Sequence, residues 1–419
     1  MTLSAEAERA APVDRLLHYY AHTAQRATLL VARHPRPEPD GASPAHSPAL
    51  PDPEAARSWL RAEHANLDAA FTHAHATGSD IQTSLAAGLA EILLSDGPWT
   101  RALEIHRIAA DAADAQGDRV ARSAALTDLG RVLQVTGDYP GAGVALERAL
   151  EVSRAAGDRS GEANALNDLG RVRYMTGDYG GSMTAHAAAL ELYRALGHRH
   201  GEATALASVG NFRHLLDDFP GAIEALGQAL EIYRELDLRL GQANVLTMLG
   251  PVQLETGDLA GAAASLVEAL EICRTAGHRG GEANALTDLG RVLQVTGDYP
   301  GAGVALERAL ANYRELGDRG NESWALNHFA AALAASGRRV RAFELYQRAR
   351  AMNRELDKPD DEAIALEGLA DHYQAEGDPE QAAAQLRQAL TIYERIGMHS
   401  DAECIRDRLL SFVSSRLRG

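Results

Sequence analysis

Apolar residues fall into two alternating helical stripes, and the pair of stripes returns every forty residues from Ile81 onward. On the first stripe Leu166, Leu169 and Gly170 share a face, and on the second Ala189 and Leu190 do. The same five positions recur as Leu126, Leu129, Gly130, Ala149 and Leu150, and again as Leu286, Leu289, Gly290, Ala309 and Leu310. Spacings of three and four put such residues on one side of a helix, and Gly after Leu-x-x-Leu lets a partner helix cross closely. Glycine-aspartate pairs separate the stripes. Gly137-Asp138, Gly177-Asp178, Gly257-Asp258, Gly297-Asp298 and Gly377-Asp378 mark one turn, and Gly117-Asp118, Gly157-Asp158 and Gly317-Asp318 mark the other. Gly there suits the left-handed position after a helix, and the Asp that follows suits the N-cap of the next. Pro140, Pro220, Pro300 and Pro379 fall in the first turn of the second helix, where no amide hydrogen is needed.

The expected fold is therefore all-α: an α-solenoid, a right-handed superhelix of tandem helix-turn-helix repeats with the first helices inside. The repeat domain covers 79–400 in eight units, 81–120 through 361–400, the first of them degenerate. Residues 401–419 read as a capping helix with Arg406, Arg408 and Arg416 turned to solvent. Ala125–Leu150 is identical to Ala285–Leu310 four repeats later, the mark of internal duplication.

Small residues recur at Gly130, Ala142 and Ala149 and at Gly210, Ala222 and Ala229, with Tyr139, Tyr179 and Phe219 after the turn. This pattern resembles the tetratricopeptide repeat, departing from it in its longer period and in lacking the closing proline. Residues 1–78 are out of register. Val13–Ala32 reads as an amphipathic helix, His34–Pro53 with its seven prolines as a solvated linker, and Glu54–His75 as a second helix. Leu-Leu-His-Tyr-Tyr-Ala-His-Thr-Ala, then the proline-rich gap, then Trp59-Leu60-x-x-Glu63-x-x-Asn66-Leu67, resembles a junction found in actinobacterial STAND-type regulators, the Streptomyces antibiotic regulatory protein family among them. In those proteins it joins the NTPase and winged-helix core to the C-terminal repeats. The resemblance implies a sensor arm without NTPase or DNA-binding domains, either stand-alone or a truncated relative, because no Gly-x-x-x-x-Gly-Lys-Ser/Thr phosphate loop is present.

Composition narrows the function. Apolar residues make up 46% of the chain but aromatics only 5%, as closely packed helices require. The formal charge of −17 and the lack of a basic stretch argue against direct nucleic-acid or membrane partners. No signal peptide and no apolar run of spanning length is evident, so a cytoplasmic protein is expected. Cys273 and Cys404 offer no disulfide framework and read as reduced thiols. His18 and His22 lack the Glu of a His-Glu-x-x-His site, and His198-Arg199-His200 lies in a turn, so both read as ordinary histidines. Neither a metal, nor a cofactor, nor an enzymatic activity is expected.

First helices line the concave face of tetratricopeptide arrays, so by register the partner-binding candidates are Arg131, Gln134, Asn164, Asn167, Arg171, Tyr174, Asn211, His214, Asn244, Asn284, Arg291 and Gln294. Asn can grip an extended backbone, and Arg a carboxylate. The expected partner is a protein or peptide bearing acidic or C-terminal carboxylate groups. The rival reading pairs Arg131, Arg171 and Arg291 with Asp128, Asp168 and Asp288, three residues earlier on the same helices. The leading function is a protein- or peptide-binding scaffold acting as a regulatory or signalling adaptor. The alternative is a sensor arm for a small signalling peptide or metabolite, controlling a transcription factor or a STAND NTPase.

Overall fold

The computed structural model describes residues 2–32, 34–39, 41 and 43–416, with only the helical backbone for 2–11 and 411–416. Among the described residues there are twenty helices and no strand, an all-α solenoid of tandem helix pairs. The chain divides into two compact units, Met1–Asp218 and Phe219–Gly419. The first holds α1 (Thr2–Val31), α2 (Pro53–Ala62), α3 (His64–Thr77), α4 (Gln82–Asp96), α5 (Trp99–Gln116), α6 (Arg119–Val135), α7 (Tyr139–Ala156), α8 (Arg159–Met175), α9 (Tyr179–Leu196) and α10 (Arg199–Leu215). The second holds α11 (Phe219–Glu235), α12 (Arg239–Glu255), α13 (Leu259–Thr275), α14 (Arg279–Val295), α15 (Tyr299–Leu316), α16 (Arg319–Ala335), α17 (Arg339–Glu355), α18 (Pro359–Ala375), α19 (Pro379–Ile396) and α20 (His399–Arg416).

Local chemistry accounts for the boundaries. Gly137 has φ +83°, and Asp138 then caps α7, its Oδ1 accepting from the Gly141 amide at 2.9 Å. Such a cap contributes about 1 kcal/mol. His198 and His278 perform the same task through Nδ1, each accepting from an amide at 2.9 Å, so His198 of the His-Arg-His turn is a helix cap. Asp237 and Asp357 take the left-handed conformation (φ +50° and +52°) where other repeats have Gly. The turn geometry therefore persists without the residue that suits it best.

Within each unit every repeat packs its second helix on its first, and successive first helices also meet: α4 with α6, α6 with α8, and α12 with α14, α16 with both α14 and α18. No two second helices make contacts of that extent among the described residues, so the first helices form the closer-packed side. Ala142, Leu146 and Ala149 on α7 are fully buried, as are Ala262, Leu266 and Ala269 on α13. Each buried Leu contributes about 1.5–3 kcal/mol.

The N-terminal segment differs from expectation in three ways. Its first helix starts at Thr2 and carries Pro12 within it. The helix expected over Glu54–His75 is two helices, parted at Glu63, whose backbone leaves the helical region (φ −95°, ψ 4°). The Glu63 carboxylate there accepts from Tyr20 Oη at 3.1 Å and Asn66 Nδ2 at 2.8 Å. Third, α1 lies along α4, Thr28 Oγ1 donating to the Gly88 carbonyl at 2.7 Å, so this segment shares a core with the first repeat. At the C-terminal end α20 closes the second unit with Ala402 and Ile405 against Leu386 and Tyr393. Arg406 is exposed beside Glu394, but Arg408 is only partly so and pairs with Glu367 at 2.9 Å and with Asp371. The Arg416 side chain lies outside the described residues.

Candidate functional site

The proline-rich stretch expected to be solvated is not so at its start. His34 is buried in the first unit and Arg36 nearly so, its side chain 10% exposed, on the side formed by the first helices α4, α6 and α8. Alternating prolines keep 35–37 out of any helix, because Pro disfavours helix in the residue before it. Its backbone is gripped by a side chain: Asn164 Nδ2 on α8 donates to the Pro35 carbonyl at 2.8 Å, while Tyr193 Oη on α9 donates to Asn164 Oδ1 at 2.9 Å and so orients the amide. Arg36 reaches two helices at once, donating to Asp128 on α6 at 2.6 and 3.0 Å and to Glu91 on α4 at 2.9 Å. His34 completes the span, its Nε2 lying 3.8 Å from Asp168 on α8 and its Nδ1 3.4 Å from Tyr193 Oη. A cavity of about 280 Å³ opens beside the segment, walled by Val120, Ala124, Thr127 and Ser160.

The charges form one buried network. Arg131 on α6 donates to Glu91 at 2.8 Å and lies 3.4 Å from Asp128, and Arg171 on α8 donates to Asp168 at 2.8 Å. Burial disfavours the charged form of each group. For Glu91 and Asp128 the neighbouring guanidiniums more than offset that, holding both carboxyls below the usual carboxylate range. The same carboxylates keep Arg36 and Arg131 protonated more firmly than usual. For His34 and His106 burial outweighs the pull of Asp168 and Asp128 and, aided by the nearby arginines, pushes His34 down to about 3 and His106 to about 4. Both rings are thus neutral at pH 7.

The sequence-predicted residues separate into distinct environments. Asn164 holds the chain's own Pro35 carbonyl. Arg131, Arg171 and Arg291 each pair with the carboxylate three residues earlier, at 3.4, 2.8 and 3.0 Å, the rival reading of these arginines. Arg131 is buried, whereas the Arg171 side chain is 51% exposed and donates also to Gln134 Oε1 at 2.6 Å. Asn167 is buried, its Oδ1 3.2 Å from His186 Nδ1. Tyr174 packs edge-on to Tyr179. Asn211 and His214 on α10 are half-buried. In the second unit Asn244 and Asn284 are exposed and Gln294 is half-buried. Tyr313 Oη donates to Asn284 Oδ1 at 2.7 Å, and Arg291 sits 6.0 Å from the Trp324 ring centre. Sequence reasoning missed His34, Arg36, Glu91 and Tyr193. Glu91 had a signal: it stands one repeat before Arg131 and two before Arg171 in the same register, with the charge reversed.

The tetratricopeptide repeat model matches residues 121–195, 161–235, 201–275, 281–355 and 321–395, more than half of the chain. The chain belongs to the tetratricopeptide repeat family. No curated protein matches it closely enough to count as a relative. Several solved structures share the fold of this tetratricopeptide repeat protein. A Rap protein complexed with Competence and Sporulation Factor is 14% identical, with 80% of this chain and 98% of that one covered, at a TM-score of 0.58. The Rap conjugation gene regulator of plasmid pLS20, in complex with the Phr* peptide, is 15% identical over 80% and 96% of the two chains, at 0.56. A STAND protein with a tetratricopeptide repeat sensor from Pyrococcus horikoshii is 16% identical over 86% of this chain, at 0.58, and the match spans 54% of that protein. Among the described residues no helix is long and apolar enough to cross a membrane, and no three His, Cys, Asp or Glu side chains gather as a metal would need.

Proposed function

We propose that this tetratricopeptide repeat protein is a peptide-binding regulatory scaffold whose ligands lie extended across successive first helices. One observation carries the reading: His34–Pro37 of the chain itself lies across three first helices, with a backbone carbonyl held by Asn164 and side chains held by α4, α6 and α8. A surface that orders an extended segment of its own offers the same amide and charge contacts to another. The second unit carries the Asn-Tyr pair again, as Asn284 and Tyr313, with the Asn exposed. Neighbours of the same fold include two Rap proteins solved with a bound factor or peptide and a STAND protein whose repeats are named as its sensor, which supports a regulatory role. An acidic or carboxylate-ended partner would meet arginines that already hold carboxylates, so the reading favours recognition through the peptide backbone.

The test is to pan a library of unstructured peptides against the full chain and measure the selected binders on Asn164→Ala and Asn284→Ala proteins. At least a tenfold loss on one variant, with the circular dichroism spectrum unchanged, is expected. Binders indifferent to both replacements would place recognition elsewhere.

A further inference from the structure

We propose that the site across α4, α6 and α8 is a receptor for an extended peptide bearing an arginine between prolines, and that the chain's own His34–Pro37 occupies it until such a ligand displaces it. The inference rests on the peptide-binding reading and specifies its ligand. Charge decides the class. Glu91, Asp128 and Asp168 supply three carboxylates, and Arg131 and Arg171 only two guanidiniums, so the helices alone leave one buried negative charge over. Arg36 supplies the missing cation. With Asp128 it forms the two-pronged contact that a guanidinium makes and an ammonium does not. The neutral His34 ring adds no charge of its own at pH 7.

Shape narrows the class further. The carbonyl that Asn164 holds belongs to the residue just before the arginine, so the segment must stay extended there, as an X-Pro sequence does at low entropic cost. The cavity flanking Pro35 and Pro37 leaves room for side chains bulkier than theirs. The occupying segment is covalently attached, so a free ligand competes against a high effective concentration. The wild-type chain will therefore bind weakly what a loosened chain binds well.

The experiment titrates full-length protein with a fluorescein-labelled peptide, Arg-His-Pro-Arg-Pro-Glu-Pro, matching residues 33–39, and reads anisotropy. Arg36→Ala protein is expected to bind it at least tenfold more tightly than wild type, and the same peptide carrying Arg36→Ala should bind at least tenfold more weakly to every protein. Should Arg36→Ala fail to fold, Arg36→Lys keeps the charge while losing the two-pronged contact, and it too must bind the peptide more tightly than wild type. Equal affinity for wild type and the folded variants, or indifference to the arginine in the peptide, overturns the proposal. If that happens while library-selected peptides still lose affinity on Asn284→Ala, the ligand class falls and the peptide-binding function stands.

Discussion

Replacing Gly170 by Leu probes whether the repeats depend on the close crossing of first and second helices. A Cβ built on Gly170 of α8 lies 2.8 Å from His186 Nε2 and 2.9 Å from Cδ2 and Cε1. Ordinary carbon contacts are about 3.5–4.0 Å, so the ring or the helix must retreat by more than half an ångström before the rest of a leucine is placed. His186 has little room, being 5% exposed and tied to Asn167, itself buried. Overpacking costs about 1–3 kcal/mol, and stranding the Asn167 amide adds about 1. Removing Gly from a helix interior returns about 1 kcal/mol. The net loss for Gly170→Leu is about 1–3 kcal/mol, whereas for Gly170→Ala the terms nearly cancel. Gly227 on α11 meets nothing within 4 Å, so Gly227→Ala should stabilise by about 0.5–1 kcal/mol. Urea titrations followed by circular dichroism measure all three. His186→Ala removes the obstacle, and Gly170→Leu in that background should cost at least 1 kcal/mol less. A Gly170→Leu protein within 0.5 kcal/mol of wild type, or a cycle without coupling, would refute the crossing as drawn.

The three arginines should part company on mutation. Arg131→Ala leaves Glu91, Asp128 and Asp168 to Arg36 and the half-exposed Arg171 and should destabilise by about 3–5 kcal/mol, while Arg171→Ala removes a guanidinium that is 51% exposed, leaves the buried Asp168 with Arg131 at 3.9 Å and should cost about 1–2, as paired melts will show. Acid should weaken the first unit. Burial depresses His186 to about 4, as it depresses His34 and His106, so above pH 6.5 these rings are neutral in both states. Below pH 6.5 the unfolded chain takes up the protons first, so stability falls until pH nears 4, by about 3 kcal/mol for His186 alone. Denaturant midpoints at pH 7.5 and 4.5 measure the loss, and His186→Leu, the residue found at 146, 226, 266 and 306, should reduce it. Asp357→Gly relieves a left-handed turn and should raise stability by up to about 1 kcal/mol in a thermal melt; an unchanged or lower melting temperature would show that Asp357 holds the turn by other means.

What the sequence determined by itself was the repeat and its joints. Leu-x-x-Leu-Gly, the Gly-Asp turns and the capping Asp side chains act between residues three to five apart, so their chemistry is complete within a short window. Asp237 and Asp357 escaped notice because an αL turn can be kept by a neighbouring fold that outweighs one residue's preference. The site was legible only in part. Asn164 and the Arg-Asp pairs follow from register on single helices, but the segment that Asn164 holds lies 129 residues away, and Arg36 finds Asp128 across 92. A run of prolines resists helix whether it floats in water or lies docked, so nothing local distinguished the two. Only the tertiary structure did: stacking α4, α6 and α8 left three carboxylates against the buried Arg131 and the half-exposed Arg171, and a buried charge without a counter-charge draws in the nearest cation that the chain can bring.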